Sequence, residues 1–316
     1  MQRGRSTSKA RAWLRACGAL LAAGGLLAGL SGCAIKRAMI NRVGDAVAAG
    51  GTVYASDADV ELVGSASPFG LKLLESLSEE SPRHRGLLLA LARGYTQYAY
   101  AYVEQPADFA EQHDVGAAYA ARDRARRLYL RARDFGLRGL EVAHPDFRRR
   151  LAADPEAALR ALGGRDVPLA YWTAASWGAA ISLGKDDAEL LAGLPAVRAL
   201  ASRALELDER FEGGALELLS VSLAMSEPWP QAARIAQARR HLNRALELSG
   251  GHLAAPYVVF AESVSVPSGN RSEFEALIGK ALALDPDAVP DQRLANTLFQ
   301  RRAHWLQSRS EDLFDQ

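Results

Sequence analysis

The sequence predicts an all-α protein in which helix pairs stack into a helical repeat, or α-solenoid, behind a cleavable leader. Ala, Leu and Arg dominate the 316 residues and runs of β-branched residues are rare, which is the composition of a helical protein. From Asp57 onwards, apolar residues recur at spacings of three and four, while Gly and Pro cluster in short breaks. A short segment also repeats in the C-terminal half.

The first 32 residues have the pattern of a secretory signal peptide. An apolar run rich in small residues extends over 16–30 and is about half as long as a bilayer span requires, which argues against a transmembrane anchor. The sequence Leu30-Ser31-Gly32-Cys33 then resembles the lipobox of a bacterial lipoprotein. That resemblance implies acylation of Cys33 and cleavage before it. Basic residues precede the apolar run: Arg3, Arg5, Lys9, Arg11 and Arg15.

Cleavage before Cys33 would leave a chain of different character. Five basic residues and no acidic ones would be lost, which changes the formal charge from +1 to −4 and argues against nucleic acid as a partner. The leader contains Cys17, so no thiol other than Cys33 would remain for a disulfide, a metal site or a nucleophile. Ala34 is not the Asp that retains many lipoproteins in the inner membrane, which favours a periplasm-facing position at the outer membrane.

We predict three regions: the signal peptide at 1–32, a lipidated tether at 33–56, and one helical-repeat domain at 57–316. Asp57 to Asp59 can cap a first helix, and Pro68 is expected to open a second helix at Phe69. Further helices are expected over about 83–103, 115–143 and 168–183. The polar stretch 104–114 is read as a connection, and 144–167 as short helices and turns.

The repeat supports the solenoid architecture. Arg203-Ala204-Leu205-Glu206-Leu207-Asp208 returns at 244–249 and again at 280–286, where Asp285-Pro286 follows. This ending resembles the close of a tetratricopeptide repeat, a helix pair of about 34 residues. The small Ala allows the paired helices to approach closely, and Asp-Pro stops the second helix. Stacked pairs of this kind curl around a concave surface that usually binds something elongated.

Five stretches together resemble the T-component lipoproteins of tripartite ATP-independent periplasmic (TRAP) transporters, the TatT-like family, over about 57–314. The most distinctive is Tyr171-Trp172-Thr173-Ala174-Ala175-Ser176-Trp177-Gly178, because helical repeats alone do not require it. The others lie at 67–75, 94–101, 194–208 and 293–303. The lead-in at 63–67 is richer in Gly and Ser than we expect for the family.

The resemblance implies a non-enzymatic homotrimer that partners a TRAP-type substrate-binding protein. It further implies a cavity or pore through each subunit for small organic molecules, including hydrophobic ones. A helical-repeat scaffold that grips peptides of an envelope assembly is the alternative, and a regulator of a cell-wall enzyme is a weaker third reading.

Aromatic residues are the first candidates for lining such a cavity. Tyr95, Tyr98 and Tyr102 share helical spacing and can line a channel or simply pack between helices with their hydroxyls bonded to neighbours. Trp172 and Trp177 are five residues apart, about 140° around a helix, so they cannot share one narrow face. At least one of them is therefore a candidate for a cavity wall.

Polar candidates lie on the last long helix, where Arg293, Asn296 and Arg302 fall on a common side. They can clasp a carboxylate ligand or form a capping network on the end repeat. The segment Lys185-Asp186-Asp187 is expected to be a turn and helix cap. The arginine-rich stretch 122–133 is expected to be a solvated face, with a docking surface for an acidic partner as the alternative.

The sequence offers little for catalysis or cofactor binding. No Gly-rich phosphate loop and no Gly-x-Ser-x-Gly elbow is present, and no cofactor is expected. The histidines lack the spacing of a metal site, such as two on one helical turn: His84, His113, His144, His241, His252 and His304.

Overall fold

The structure, a computed structural model, describes Arg42 and residues 51–314. Cys33, the leader and most of the tether therefore lie outside the described residues. Within them the regular structure is helical and contains no β-strand, which confirms the all-α prediction. The helices are α1 (Gly51–Ala55), α2 (Val60–Glu80), α3 (Arg85–Ala99), α4 (Gln105–Ala110), α5 (Val115–Ala143), α6 (Phe147–Ala153), α7 (Pro155–Arg160), α8 (Val167–Leu183), α9 (Ala188–Leu191), α10 (Leu194–Leu207), α11 (Ala215–Ala224), α12 (Gln231–Leu248), α13 (Ala255–Phe260), α14 (Arg271–Leu282), α15 (Arg293–Ser308) and α16 (Ser310–Phe314).

Helices α3, α5 and α8 form the centre of the N-terminal half. Gly136 on α5 allows a close approach to α8, because a Cβ there would lie 2.2 Å from Thr173 Oγ1. Gly139, one turn further along, lies against Leu169 in the same way. The short helices and turns expected between α5 and α8 are present as α6, α7 and a 3-10 turn at Gly164–Asp166.

Helix α2 differs from the prediction, because Pro68 lies inside one continuous helix instead of opening a second one. Val60 and Val63 precede the proline and Leu71 and Leu74 follow it, and all four are buried on one stripe. Packing along this stripe outweighs the one backbone hydrogen bond that an exposed proline removes. The expected cap is present, since Asp59 Oδ1 accepts a hydrogen bond from Leu62 N at 2.8 Å.

Two π-helical turns interrupt the chain, Tyr100–Glu104 and Ala261–Ser265. In each case a single residue separates the turn from a proline. That residue donates to the first carbonyl of the turn: Gln105 N to Tyr100 O, and Val266 N to Ala261 O. Pro106 and Pro267 follow directly. A proline lacks the N–H of an ordinary helical turn and displaces the carbonyl four residues back, and the wider turn accommodates that carbonyl.

The stretch predicted as a polar connection at 104–114 is also wrong in part, because it contains α4. Pro106 is tolerated at the start of this helix because the preceding π-helical turn relieves its clash with the carbonyl four residues back. The turn at 185–187 is confirmed: Asp187 Oδ1 accepts from Leu190 N at 3.0 Å and caps α9.

The repeated segments each end a helix, as predicted. They close α10, α12 and α14, and their alanines Ala204, Ala245 and Ala281 are at most 1% exposed. The apolar core of the C-terminal half gathers around α11 to α15 and includes Val221, Phe260 and Phe274. No helix among the described residues combines the length and the apolar character needed to span a bilayer.

Candidate functional site

Tyr95 lies on α3 and is 4% exposed. The Tyr95 ring stacks on Phe135 of α5, with 6.0 Å between the ring centroids. The guanidinium of Arg131, also on α5, lies 5.2 Å from the centre of the Tyr95 ring. Burial and the neighbouring Glu75 carboxylate raise the pKa of Tyr95. Arg131 and Lys72 both pair with Glu75, which joins α2 to α5 at this point.

Tyr98 and Tyr102 lie beside each other, with ring centroids 5.9 Å apart. Arg124 lies over the Tyr98 ring at 5.9 Å, and its Nη2 is 3.4 Å from the hydroxyl. Tyr102 Oη is buried without a hydrogen-bond partner among the described residues, and burial raises the pKa of Tyr102 to about 12. The Tyr102 ring lies against Gly64 of α2, where a Cβ would come within 2.7 Å of it.

Trp172 is 7% exposed and belongs to the apolar cluster that includes Tyr95. Tyr171 meets it edge-on at 4.8 Å, and the Arg93 guanidinium lies 5.9 Å from its ring centre. The Trp172 indole donates to Glu212, whose pKa is raised by burial. Glu212 has a φ of 43°, in the left-handed region that favours glycine, so its backbone conformation is strained.

Trp177 occupies a separate position. It packs against the apolar cluster around α8 and α10, and its edge meets Gly193, where a Cβ would lie 2.5 Å from the ring. The Arg133 guanidinium lies 5.4 Å from the ring centre, and the indole Nε1 is buried without a hydrogen-bond partner among the described residues. The structure therefore does not bring the two tryptophans together.

Four of the five aromatic candidates carry an arginine over the ring face, which gives them a common character. A guanidinium stacked on an aromatic ring is attracted by the ring quadrupole and keeps its N–H edges available. Tyr95 and Trp172 are buried beneath these arginines, so this region presents mainly guanidinium groups at its surface, and these can donate hydrogen bonds to a carboxylate.

The polar candidates on α15 have different partners from one another. Arg293 Nη1 donates to Ser56 O at 2.8 Å, ahead of α2. Asn296 is 1% exposed, accepts from Ala254 N and donates to His252 O, each at 2.9 Å, at the start of α13. The structure therefore does not gather these two side chains and Arg302 around one point.

Arg302 is 7% exposed and forms the centre of a buried charge network, the Arg302 centre. Its Nη1 donates to Asp108 Oδ2 of α4 at 2.7 Å, and its Nη2 pairs with Glu262. Arg122 of α5 holds the other oxygen of Asp108, with Nη2 at 2.7 Å. Charges removed from water in this way are stable only when they are paired.

Glu104 completes the Arg302 centre. It accepts a hydrogen bond from the hydroxyl of Tyr129, which is 1% exposed on α5. The pKa of Glu104 is raised to about 7, chiefly by burial and also by the negative charges of Asp108 and Glu262, against the opposing effects of Tyr129 and Arg302. One carboxyl of the centre therefore changes its charge near neutral pH.

Two acidic residues of the Arg302 centre come from the π-helical turns. Glu104 ends the first turn and Glu262 is in the second. Such turns are frequent at functional sites because they reposition side chains relative to a regular helix. Sequence reasoning missed Glu104, Asp108 and Glu262, although the two prolines that follow the turns were the available signal.

Helix α15 joins the C-terminal end of the chain to its N-terminal elements. Arg301 Nη1 lies 2.6 Å from Glu61 Oε1 on α2, and Arg302 and Arg293 reach α4 and Ser56. Phe109 and Trp305 add an aromatic contact at 5.5 Å. The ends of the helical repeat therefore meet at one helix.

In the part of the chain that the structure describes, His, Cys, Asp and Glu do not gather in threes that could hold a metal ion. The fold and the contacts define a class: an all-α helical-repeat protein with arginine-stacked aromatic residues and a charged junction between its ends. Comparison with known proteins adds the family. The chain belongs to the TRAP transporter T-component family, whose match covers residues 56–314.

The chain is also similar to a protein of Treponema pallidum (strain Nichols) that is described as uncharacterized. The two are 30% identical over 266 residues, which cover 83% of this chain and 82% of that protein. The family resemblance read from the sequence is thereby confirmed.

Proposed function

We propose that this protein is a lipid-anchored, periplasm-facing T-component that partners a TRAP-type substrate-binding protein and handles a small organic ligand. The observation that carries the proposal is the family match over residues 56–314. A TRAP component operates at the cell envelope, in agreement with the leader predicted at 1–32, ahead of Cys33. Nothing in the described residues indicates catalytic chemistry.

Two buried polar atoms among the aromatic candidates support the ligand part of the proposal. Tyr102 Oη and Trp177 Nε1 are buried polar atoms without partners among the described residues, and a buried polar atom left unpaired costs about 1–3 kcal/mol. A ligand that supplied an acceptor or donor would recover part of that cost. Tyr98 would add ring area and Tyr95 and Trp172 would support it from the buried side, while Arg293, Asn296 and Arg302 would act indirectly, by holding α15 against its neighbours.

The proposed partnership with a substrate-binding protein is tested by affinity capture. The full-length protein, purified from detergent-solubilised envelopes, is expected to recover a substrate-binding protein identified by mass spectrometry. A matched capture with an unrelated lipoprotein of the same envelope provides the control. Repeated capture without any substrate-binding protein would contradict the proposal.

The anchor and the assembly have their own tests. Mass spectrometry of the mature amino terminus is expected to find an acylated Cys33. Outer-membrane fractions are expected to contain more of the protein than inner-membrane fractions. We further propose a homotrimer, measured by light scattering on the detergent-solubilised protein. An exposed apolar stripe on α2 supports self-association, since Leu62, Phe69 and Leu73 are 57%, 76% and 47% exposed.

A scaffold that binds peptides remains the second candidate. The exposed guanidinium groups on α5 favour it, because arginine binds carboxylates of a peptide as well as those of a small molecule. Direct titration with small organic acids separates the two: quenching of tryptophan fluorescence near Trp172 and Trp177 is expected only for a ligand-handling protein.

A further inference from the structure

The arginines of α5 fall into two groups that differ in their partners. Helix α5 carries seven arginines against three acidic residues, a formal charge of +4 in a chain whose charge without the leader is −4. Most of these arginines pair with carboxylates close by: Arg122 with Asp108 and Glu111, Arg126 and Arg127 with Asp123, and Arg133 with Asp134.

The second group is a row along one face of the helix. Arg124, Arg131 and Arg138 are seven residues apart, exposed, and each is placed over an aromatic ring, at 5.9, 5.2 and 5.3 Å from the centre. Seven residues are two turns, so the guanidinium groups follow one another at about 10.5 Å. We call these three residues the arginine row.

The ends of the row lack acidic partners. Arg131 pairs with Glu75, whereas Arg124 and Arg138 form no ion pair with any residue that the structure describes. Their rings, Tyr98 and Phe135, hold the guanidinium groups in place without neutralising them. A guanidinium that is oriented in advance loses less conformational entropy when it binds a carboxylate.

From this geometry we propose that the arginine row is the docking surface for an acidic helix of the partner substrate-binding protein. Carboxylates seven residues apart on a helix have the same spacing as the row, so an acidic helix lying along α5 meets Arg124 and Arg138 together. The proposal rests on the proposed function for the identity of the partner. The docking surface itself is inferred only from the geometry of the arginine row.

Charge distribution separates this partner from a continuous polyanion. Asp134 and Glu141 lie on the same helix as the row, and Glu75 lies against its centre. Asp134 and Glu75 are themselves ion-paired, so this face carries separate positive charges at Arg124 and Arg138 and lacks the continuous basic strip that suits the closely spaced phosphates of nucleic acid or of an anionic lipid surface.

The test compares the full-length protein with two double variants of equal charge. The row variant is Arg124→Gln/Arg138→Gln. The control is Arg149→Gln/Arg160→Gln, which removes the same charge from exposed side chains on α6 and α7. Arg131 is left intact because it holds Glu75. Thermal unfolding of both variants verifies that the fold persists.

The first probe is the substrate-binding protein recovered in the capture described above. The row variant is expected to bind it about tenfold more weakly than the control does, and the difference is expected to shrink as salt rises from 50 to 500 mM. Equal affinities of the row variant and the control would overturn the docking proposal, as would row-dependent binding to phosphatidylglycerol vesicles.

The second probe is a synthetic helical peptide with glutamates seven residues apart, beside its glutamine counterpart. Preference for the glutamate peptide that disappears in the row variant supports the surface, even where no substrate-binding protein is captured and the proposed function fails. Equal binding of the two peptides by the wild-type protein would overturn the surface whatever the capture shows.

Discussion

Arg302 and Asp108 are 194 residues apart in the sequence, yet Nη1 of the arginine lies 2.7 Å from Oδ2 of the aspartate. The contact joins α15 to α4 and is shielded from water, since Arg302 is 7% exposed. The junction between the two ends of the helical repeat thus depends on buried charge as well as on apolar packing.

Removal of this arginine is expected to destabilise the fold strongly. Arg302→Met would leave Glu262 and Asp108 without their shared cation, and breaking a buried pair by removing one partner costs about 3–5 kcal/mol. Urea unfolding followed by circular dichroism measures the change. The neighbouring Arg301→Met is the matched control: its pair with Glu61 is exposed, so a loss below about 1 kcal/mol is expected. Equal losses for the two variants would contradict the role given to burial.

The stability of the protein is expected to fall as the pH rises from about 5 to about 7. Burial raises the pKa of Glu104 to about 7, so the folded protein holds a proton in this range that the unfolded chain has released. Glu104→Gln keeps an acceptor for Tyr129 and cannot ionise. The variant is therefore expected to remove that contribution, which is at most about 1.4 kcal/mol per pH unit.

Glu111 provides a control of opposite sign. Arg122 lowers the pKa of Glu111 in the folded protein. The contribution of Glu111 to stability is therefore present above the pKa of the unfolded chain, and it is lost as the pH falls through the lower pKa of the folded protein. Glu111→Gln should therefore leave the change between pH 5 and 7 unaltered. Unfolding curves at several pH values for the wild type and both variants give the comparison; a wild-type slope retained in Glu104→Gln would refute the assignment.

Two glycine substitutions are expected to change stability in opposite directions. Gly136→Ala places a Cβ 2.2 Å from Thr173 Oγ1 and 3.3 Å from its Cα, so α5 and α8 must separate, at a cost of about 1–3 kcal/mol. Gly279→Ala, inside α14, meets nothing within 4 Å and should stabilise by about 0.5–1 kcal/mol through helix propensity. Thermal unfolding decides both; stabilisation by Gly136→Ala would show that the helices do not approach as described.

Tyr95 on α3 and Tyr102 in the π-helical turn that follows provide a test of ligand contact. Tyr102→Phe removes a buried hydroxyl that has no partner, so stability is expected to stay the same or rise by up to about 1 kcal/mol. Tyr95→Phe removes the hydroxyl next to Glu75 and is expected to cost about 1 kcal/mol.

Ligand affinity should show the reverse order, measured by tryptophan fluorescence with the organic acids of the titration above. If the Tyr102 hydroxyl meets the ligand, Tyr102→Phe weakens binding more than Tyr95→Phe does. A Tyr102→Phe variant with unchanged affinity would remove Tyr102 from the ligand site.

Local patterns in the sequence were sufficient for the fold class and for most helices. The helix at 115–143 is predicted at its observed bounds, because Asp114 and His144 mark clear ends to its periodic pattern. Pro68 misled the prediction, since proline signals a helix start locally while the buried stripe that outweighs it depends on tertiary packing.

The Arg302 centre could not be predicted, because its members lie on five separate elements and only the closure of the repeat unites them. Arg302 was a candidate on account of its place on the last helix. Glu104 appeared to lie in a polar linker, and nothing in its neighbourhood showed that burial would change its proton affinity.

The proline-terminated π turns also constrain how this chain can vary. Each wide turn holds one residue more than a regular turn. Deleting a single residue there would restore ordinary helical geometry while shortening the chain by only one residue. The following helix would keep its direction, but the proline would again clash with the carbonyl four residues before it, which the wide turn now accommodates. Insertions and deletions that surface loops tolerate should therefore be rare between 100 and 106 and between 261 and 267, even though both stretches resemble ordinary connections in the sequence.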